Sequence, residues 1–208
     1  MTVIQDFVMT ERFYQYYSGN PESTLDRAAD HCSTQWENFL SDSEDAYFYT
    51  QTNDRLDLEF NRYSEQPLSD RLDEAVEWFN DDGPYWWDST DAVIILDHAD
   101  QEGHQGWVST IGSAIYCDDR VGIVDYAYEG DLSWSPIDNI SFHELIHLYN
   151  GEHRDAAIFA NDKATVMSSW NDIGAVEYGC YNDGTNGKDE RVDRPAYCTE
   201  YKVDGHIN

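Results

Sequence analysis

Residues 143–147 read His-Glu-Leu-Ile-His. On a helix, side chains four positions apart rise from one face with Cβ atoms about 5–6 Å apart. His143 and His147 are therefore spaced to share one zinc ion, which takes neutral imidazole readily. Glu144 sits one residue round the helix and cannot share that face fully. It is placed to reach a water beside the metal, the position of a general base. The pentapeptide alone also arises by chance in unrelated helices, so the residues after it carry the weight. His153 comes six residues after His147, and six steps of about 100° on an unbroken helix would turn it away. It can face the same ion only if the helix ends in between. Asn150-Gly151 supplies that end, because Asn and Gly tolerate the left-handed conformation that terminates a helix. Three protein ligands with one open position make a catalytic zinc site, whereas a structural zinc takes four.

Those residues need a helix and a scaffold behind it. Pro136 opens a helix containing Phe142–Tyr149. Upstream, Val3–Tyr17 reads as a strand or a strand passing into a turn, ended by Asn20-Pro21. Ser23 or Thr24 caps a helix to about Leu40, with Leu25, Ala28, Ala29, Cys32, Trp36 and Phe39 at helical spacing. Ala46–Thr50 is a strand. Ser69 caps a second helix through Leu72, Ala75, Val76 and Phe79, and Gly83-Pro84 stops it. Ala92–Leu96 is a short buried strand; Trp107–Tyr116 and Val121–Tyr128 read as two more, joined at Asp118-Asp119-Arg120. After Asn150-Gly151 the chain reads as turn-rich to its end, with no internal repeat.

The segment His143-Glu-Leu-Ile-His147-Leu-Tyr-Asn150-Gly-Glu-His153 resembles the extended zinc motif of the metzincin metallopeptidases, His-Glu-x-x-His-x-x-Gly-x-x-His, with Asn150 where Gly is usual. Thr165-Val166-Met167-Ser168 is similar to the Met-turn of that clan, whose methionine forms an apolar floor under the ligands. The variant with a Tyr ligand two residues after the Met is not matched, since Ser169 stands there. Ile111–Val124 resembles, in shortened form, the strand and cysteine segment of the adamalysin (reprolysin) branch. That resemblance implies that Gly112, Ser113 and Ala114 pair with extended substrate by β-augmentation. It also implies a Cys117–Cys198 disulfide, leaving Cys32–Cys180. The motif-level resemblance spans residues 107–170.

Composition narrows the partners. Asp plus Glu number 42 against 12 Lys plus Arg, for a net charge of −30. No basic footprint exists for nucleic acid or an anionic membrane, and no apolar stretch approaches the length of a membrane span. A hydrophobic share of 40%, 14% aromatic, is enough for a folded core. Only Lys163, Lys188 and Lys202 are lysine. Many carboxylates and few lysines resemble halophile proteins, where molar salt screens the self-repulsion. An ordinary acidic secreted protein is the alternative. The start, Met1-Thr-Val-Ile-Gln-Asp, shows no signal peptide. Four cysteines without a Cys-x-x-Cys pair suit two disulfides in an exported protein, or buried thiols in a reducing cytosol. Extracellular location is the expectation.

Asp97, His98, Asp100, Glu102 and His104 could hold a second, structural cation, though a solvated loop is the plainer reading. Asn182–Glu190 has the composition of a calcium loop without EF-hand spacing. Trp86-Trp87 could form an aromatic platform, but core packing suits two indoles better. His31 and His206 carry no assigned role.

The expected fold is α/β (α+β), a zincin of metzincin type with a twisted mixed sheet of about five strands. Residues 1–150 would form the N-terminal lobe with sheet and zinc helix. Residues 151–208 would form a small irregular C-terminal lobe with the third ligand and Met167. The expected function is that of a zinc metalloendopeptidase, a monomer acting on polypeptide with Glu144 as general base and acid and one catalytic Zn2+. The alternatives are a zinc-bearing binding module without turnover and a narrow peptidase acting inside the cell on one partner.

Overall fold

The computed structural model describes residues 2–17, 19–39, 47–53, 55–56, 67–98, 106–125, 137–158, 163–167, 181–182, 190–191 and 195–208. The run Ala92–Leu96 is apolar at every position because its strand, β3 (Ala92–Asp97), is buried on both faces. It lies at the centre of a five-stranded sheet with β1 (Thr2–Met9), β2 (Tyr47–Thr52), β4 (Gly106–Val108) and β5 (Val121–Asp125), in the order β2-β1-β3-β5-β4. The first four strands across are parallel, and β4 closes one edge antiparallel to β5. Side chains alternate between two apolar clusters. Val3, Phe7, Ile94 and Val124 pack with α2 (Pro21–Phe39) and α4 (Ile137–Leu148), while Val8, Val93, Ile95 and Ile123 pack with α3 (Leu68–Asp82). The architecture is α+β and zincin-like, a mixed sheet between helices.

Several boundaries differ from the sequence expectation. Val3–Tyr17 is not one strand: Thr10 accepts the Phe13 amide on its side chain at 3.0 Å and starts α1 (Glu11–Tyr16). Asn20 starts α2 rather than ending an element, accepting the Ser23 amide at 3.0 Å, with Pro21 at the first helical position. Trp107–Tyr116 is a strand only to Val108, and the chain then runs through successive turns to Arg120. The reason is visible in the backbone: Gly112 has φ +79° and Ile115 φ +74°, neither compatible with a strand. The region after Asn150 is not turn-rich to its end. It holds two-residue strands β6 (Ala157–Ile158), β7 (Lys163–Ala164), β8 (Tyr181–Asn182) and β9 (Glu190–Arg191), then α5 (Tyr197–Ile207). Thr199, Val203 and Ile207 form the buried stripe of α5.

Arg120 pins the turn segment to the start of β3. Its guanidinium donates to the carbonyls of Thr90, Cys117 and Trp87, each at 2.8 Å, and lies 3.9 Å over the Trp87 ring. Trp87 also stacks on Phe79 at 4.7 Å, so this indole is core and not an exposed platform. Cys32 and Cys117 are free thiols, which rules out both expected pairings, Cys117–Cys198 and Cys32–Cys180. Cys198 is disulfide-bonded. Among the described residues no helix is long and apolar enough to cross a membrane.

Candidate metal centre

The zinc helix of the sequence reading is α4, and all of its residues from Asn139 onward are buried. It ends as the sequence requires. Asn150 has φ +73°, its amide donates to the His147 carbonyl at 3.0 Å, and the Gly151 amide donates to that of Ile146 at 2.9 Å. That is a Schellman stop with Asn at the left-handed position. Gly151 is needed for closeness: a Cβ there would lie 2.3 Å from the Ile146 side chain. The turn segment completes the cap, with Gly112 donating to His147 O at 2.9 Å and Ala114 to Leu148 O at 3.0 Å. Gly112, Ser113 and Ala114 therefore lie outside any strand, in the turn segment that follows β4. The Gly112 and Ala114 amides cap the end of α4, while the Ser113 amide donates to Thr110 O at 3.3 Å.

Beyond the stop, His153 begins a 3-10 turn (His153–Asp155) and swings back. The three Nε2 atoms converge: His143 to His153 3.0 Å, His143 to His147 3.1 Å, and His147 to His153 3.2 Å. A tetrahedral zinc at about 2.0–2.1 Å from each nitrogen needs its ligands roughly 3.3 Å apart, close to these spacings. The tautomers also fit. His143 Nδ1 meets the Val166 carbonyl at 2.7 Å, and His147 Nδ1 meets the Gly151 carbonyl at 2.7 Å. A carbonyl only accepts, so both Nδ1 atoms carry the proton and both Nε2 atoms present lone pairs. Converging lone pairs repel one another unless a cation lies between them. Among the described residues this is the one such cluster of three or more metal-ligating side chains.

The electrostatics point the same way. Burial, and next the charge of His153, push His147 down to about 4, so its imidazole is neutral and free to ligate. Burial pushes the Glu144 carboxyl up to about 8, as for a carboxyl that could carry a proton in the course of a reaction. Glu144 is packed against the backbone of Gly106, where a Cβ would fall 2.6 Å from its Cγ and Oε1. Edge strand β4 thus crosses directly beside Glu144. Sequence reasoning does not single out Gly106; its one signal is a glycine opening an otherwise apolar strand, which marks a close approach.

Met167 is fully buried in the main core cluster beside Val166, whose carbonyl orients His143. Thr165 ties this turn to the strand after His153, donating its amide to Ala157 O at 3.0 Å and accepting the Ala157 amide at 2.9 Å. Ser168 and Ser169 lie outside the described residues. Asp97 is no cation ligand: it is buried against Arg71 and accepts the Thr10 hydroxyl at 2.6 Å. His98 stacks on Tyr16, while Asp100, Glu102 and His104 lie outside the described residues. Asn182 and Glu190 fall in β8 and β9; residues 183–189 between them are outside the described set.

No protein-family model and no curated protein matches the chain by sequence. By fold it is similar to metalloproteinase-II from Bacteroides fragilis, with a TM-score of 0.54 and 16% identity, over 74% of this chain and 44% of that one. It is also similar to a chain from a structure described as a chaperone-substrate complex, with a TM-score of 0.59 and 11% identity, over 99% of this chain and 35% of that one. This chain thus spans less than half the length of either. At such identities the likeness is one of fold. A zincin-like α+β fold shared with a metalloproteinase carries a three-histidine cluster with the spacing of a metal site.

Proposed function

We propose that this chain is a zinc-dependent endopeptidase of metzincin type, with His143, His147 and His153 as ligands and Glu144 as general base and acid. The observation that carries this reading is the convergence of three Nε2 atoms within 3.2 Å beside a buried carboxylate. A zinc ion held there would supply Lewis acidity, polarising a scissile carbonyl and making a nearby water more acidic. Glu144 takes the proton of the attacking water and returns it to the departing amine. Its burial beside Gly106 excludes bulk water and gives the carboxyl an elevated affinity for that proton. The carbonyls of Val166 and Gly151 hold the two helix imidazoles in the ligating tautomer. Met167 closes the floor below them.

An extended polypeptide would pair with β4, which occupies an edge of the sheet next to Glu144, and not with residues 112–114. In this reading residues 1–150 and 151–208 form the two lobes flanking the cleft. The working form is a monomer, outside the cell, in concentrated salt; the charge of −30 favours that setting. A zinc-bearing binding module without turnover is disfavoured by Glu144, since a silent site has no use for a buried base.

The test is zinc content and cleavage of an unfolded protein in molar NaCl, for wild type and Glu144→Ala side by side. One zinc in both, with cleavage by wild type only, is expected. Zinc in both without cleavage by either would favour the binding module, and a well-folded wild type without zinc would end the metal reading.

A further inference from the structure

The three imidazoles stand on different supports. His143 and His147 stand on a buried helix, and each Nδ1 is fixed by a carbonyl. His153 stands on a three-residue 3-10 turn beyond the helix stop, so what anchors that turn bears on the placement of its imidazole. Within the turn, the Asp155 amide donates to Glu152 O and the Glu152 amide to Asp155 Oδ2, both at 2.8 Å. The anchor to the rest of the molecule comes from α5. Lys202 Nζ meets Glu152 Oε1 at 2.9 Å and Asp155 Oδ2 at 2.8 Å, bracketing His153 from both sides. Thr199, one turn earlier on the same helix, donates its hydroxyl to Asp155 O at 3.1 Å. Val203 and Ile207 fix α5 itself in the main core cluster.

We propose that Lys202 is a positioning residue for the third metal ligand, so that the C-terminal helix sets how tightly the site binds zinc. The inference rests on the three-histidine reading above. Its logic is geometric: a lysine that ties the residues on both sides of His153 limits the turn's rotation, and with it the placement of Nε2. Partners that orient metal ligands typically contribute 10- to 100-fold in affinity. The sign separates this from simple charge. Removing a cation near a dication should by Coulomb's law tighten zinc binding, whereas losing the anchor should weaken it.

The experiment measures zinc affinity by competition with a chromophoric chelator in molar NaCl, for wild type, K202M, K202R, T199V and R27M. The Co2+-loaded absorption spectrum reports ligand geometry alongside. Arg27 pairs with Asp138 away from the turn, so R27M removes one positive charge without touching the anchor. K202M should bind zinc about 10- to 100-fold more weakly with an altered cobalt spectrum. K202R should recover most of that loss, T199V should fall between, and R27M should match wild type. If K202M fails to fold, T199V and K202R carry the comparison. Wild-type or tighter affinity in K202M, or an equal loss in R27M, overturns the proposal. Absence of zinc from wild type overturns the metal reading, and the role of Lys202 with it.

Discussion

On the proposed reading, Gly106→Ala separates the placement of Glu144 from everything else in the site. The added Cβ would sit 2.6 Å from Cγ and Oε1 of Glu144 and 2.8 Å from its Cδ. Ordinary contact begins near 3.4 Å, so the carboxylate has to move by about 0.8 Å, the difference from 2.6 Å. The atoms struck belong to the end of a flexible side chain, and the cost to stability is correspondingly small. The cost to chemistry is not, because a general base contributes about 10²–10⁴-fold and a misplacement of about 1 Å can remove 10² of it. The expected fall in kcat is therefore about 100-fold, or roughly 2.7 kcal/mol in the barrier. Zinc stoichiometry should stay at the wild-type value. Steady-state cleavage of a quenched fluorescent polypeptide, with metal content and thermal unfolding on the same samples, measures all three. Gly106→Ala combined with Glu144→Ala should be no slower than Glu144→Ala alone, since the glycine acts through the carboxylate. Wild-type kcat in Gly106→Ala, or additive losses in the double variant, would refute the placement of Glu144 against β4.

Arg71→Met should destabilise the fold by about 3–5 kcal/mol in urea unfolding, because Arg71 is buried between Asp97 and Asp125 and its loss removes the cation shared by two buried carboxylates. Asp6 and Asp91 both have their pKa raised above 3.8, chiefly by burial. The native state therefore keeps these protons longer than the unfolded one, so their stabilising contribution is full below pH 3.8 and falls as pH rises through the native values. Asp6→Asn should flatten that fall, which paired unfolding curves from pH 4 upward would detect. With a net charge of −30, the midpoint of thermal unfolding should climb as NaCl rises from 0.1 to 1 M, where the screening length shrinks from about 10 to 3 Å; a flat response would argue against salt adaptation.

What was legible in the sequence was local. The stripe Leu25, Ala28, Ala29, Cys32 and Trp36 located α2, and the unbroken run Ala92–Leu96 located the central strand, because each pattern is set by burial of the element's own side chains. The helix stop was legible for the same reason: Asn150 and Gly151 are types whose backbone freedom the turn needs. Trp107–Tyr116 misled because its apolar and β-branched residues resemble a strand. Within it the amides of Gly112 and Ala114 are instead spent on the carbonyls at the end of α4 and that of Ile115 on Asp91 O, with Ile115 at positive φ. Asp97 misled in the other direction, since an acid beside His98 looks solvated until Arg71, 26 residues earlier, is known to be its partner.

The proposed ligands were readable because metal binding demands particular side chains at particular spacings. Their supports were not, and the reason is chemical. His143 and His147 are oriented by the carbonyls of Val166 and Gly151, and every residue owns a carbonyl, so no residue type marks the role. Substitution at Val166 would change packing and leave the hydrogen bond in place. Lys202 and Gly106 are intermediate: their types matter, but only once the fold has brought Glu152, Asp155 and Glu144 beside them. On the proposed reading, function in this chain is written at two depths. Donor identity is set by local spacing, while ligand geometry and the placement of the base are set by contacts that only the tertiary fold creates. Substitutions at the first depth should abolish metal binding or chemistry outright. Those at the second should grade zinc affinity and kcat separately, Lys202 moving the one and Gly106 the other.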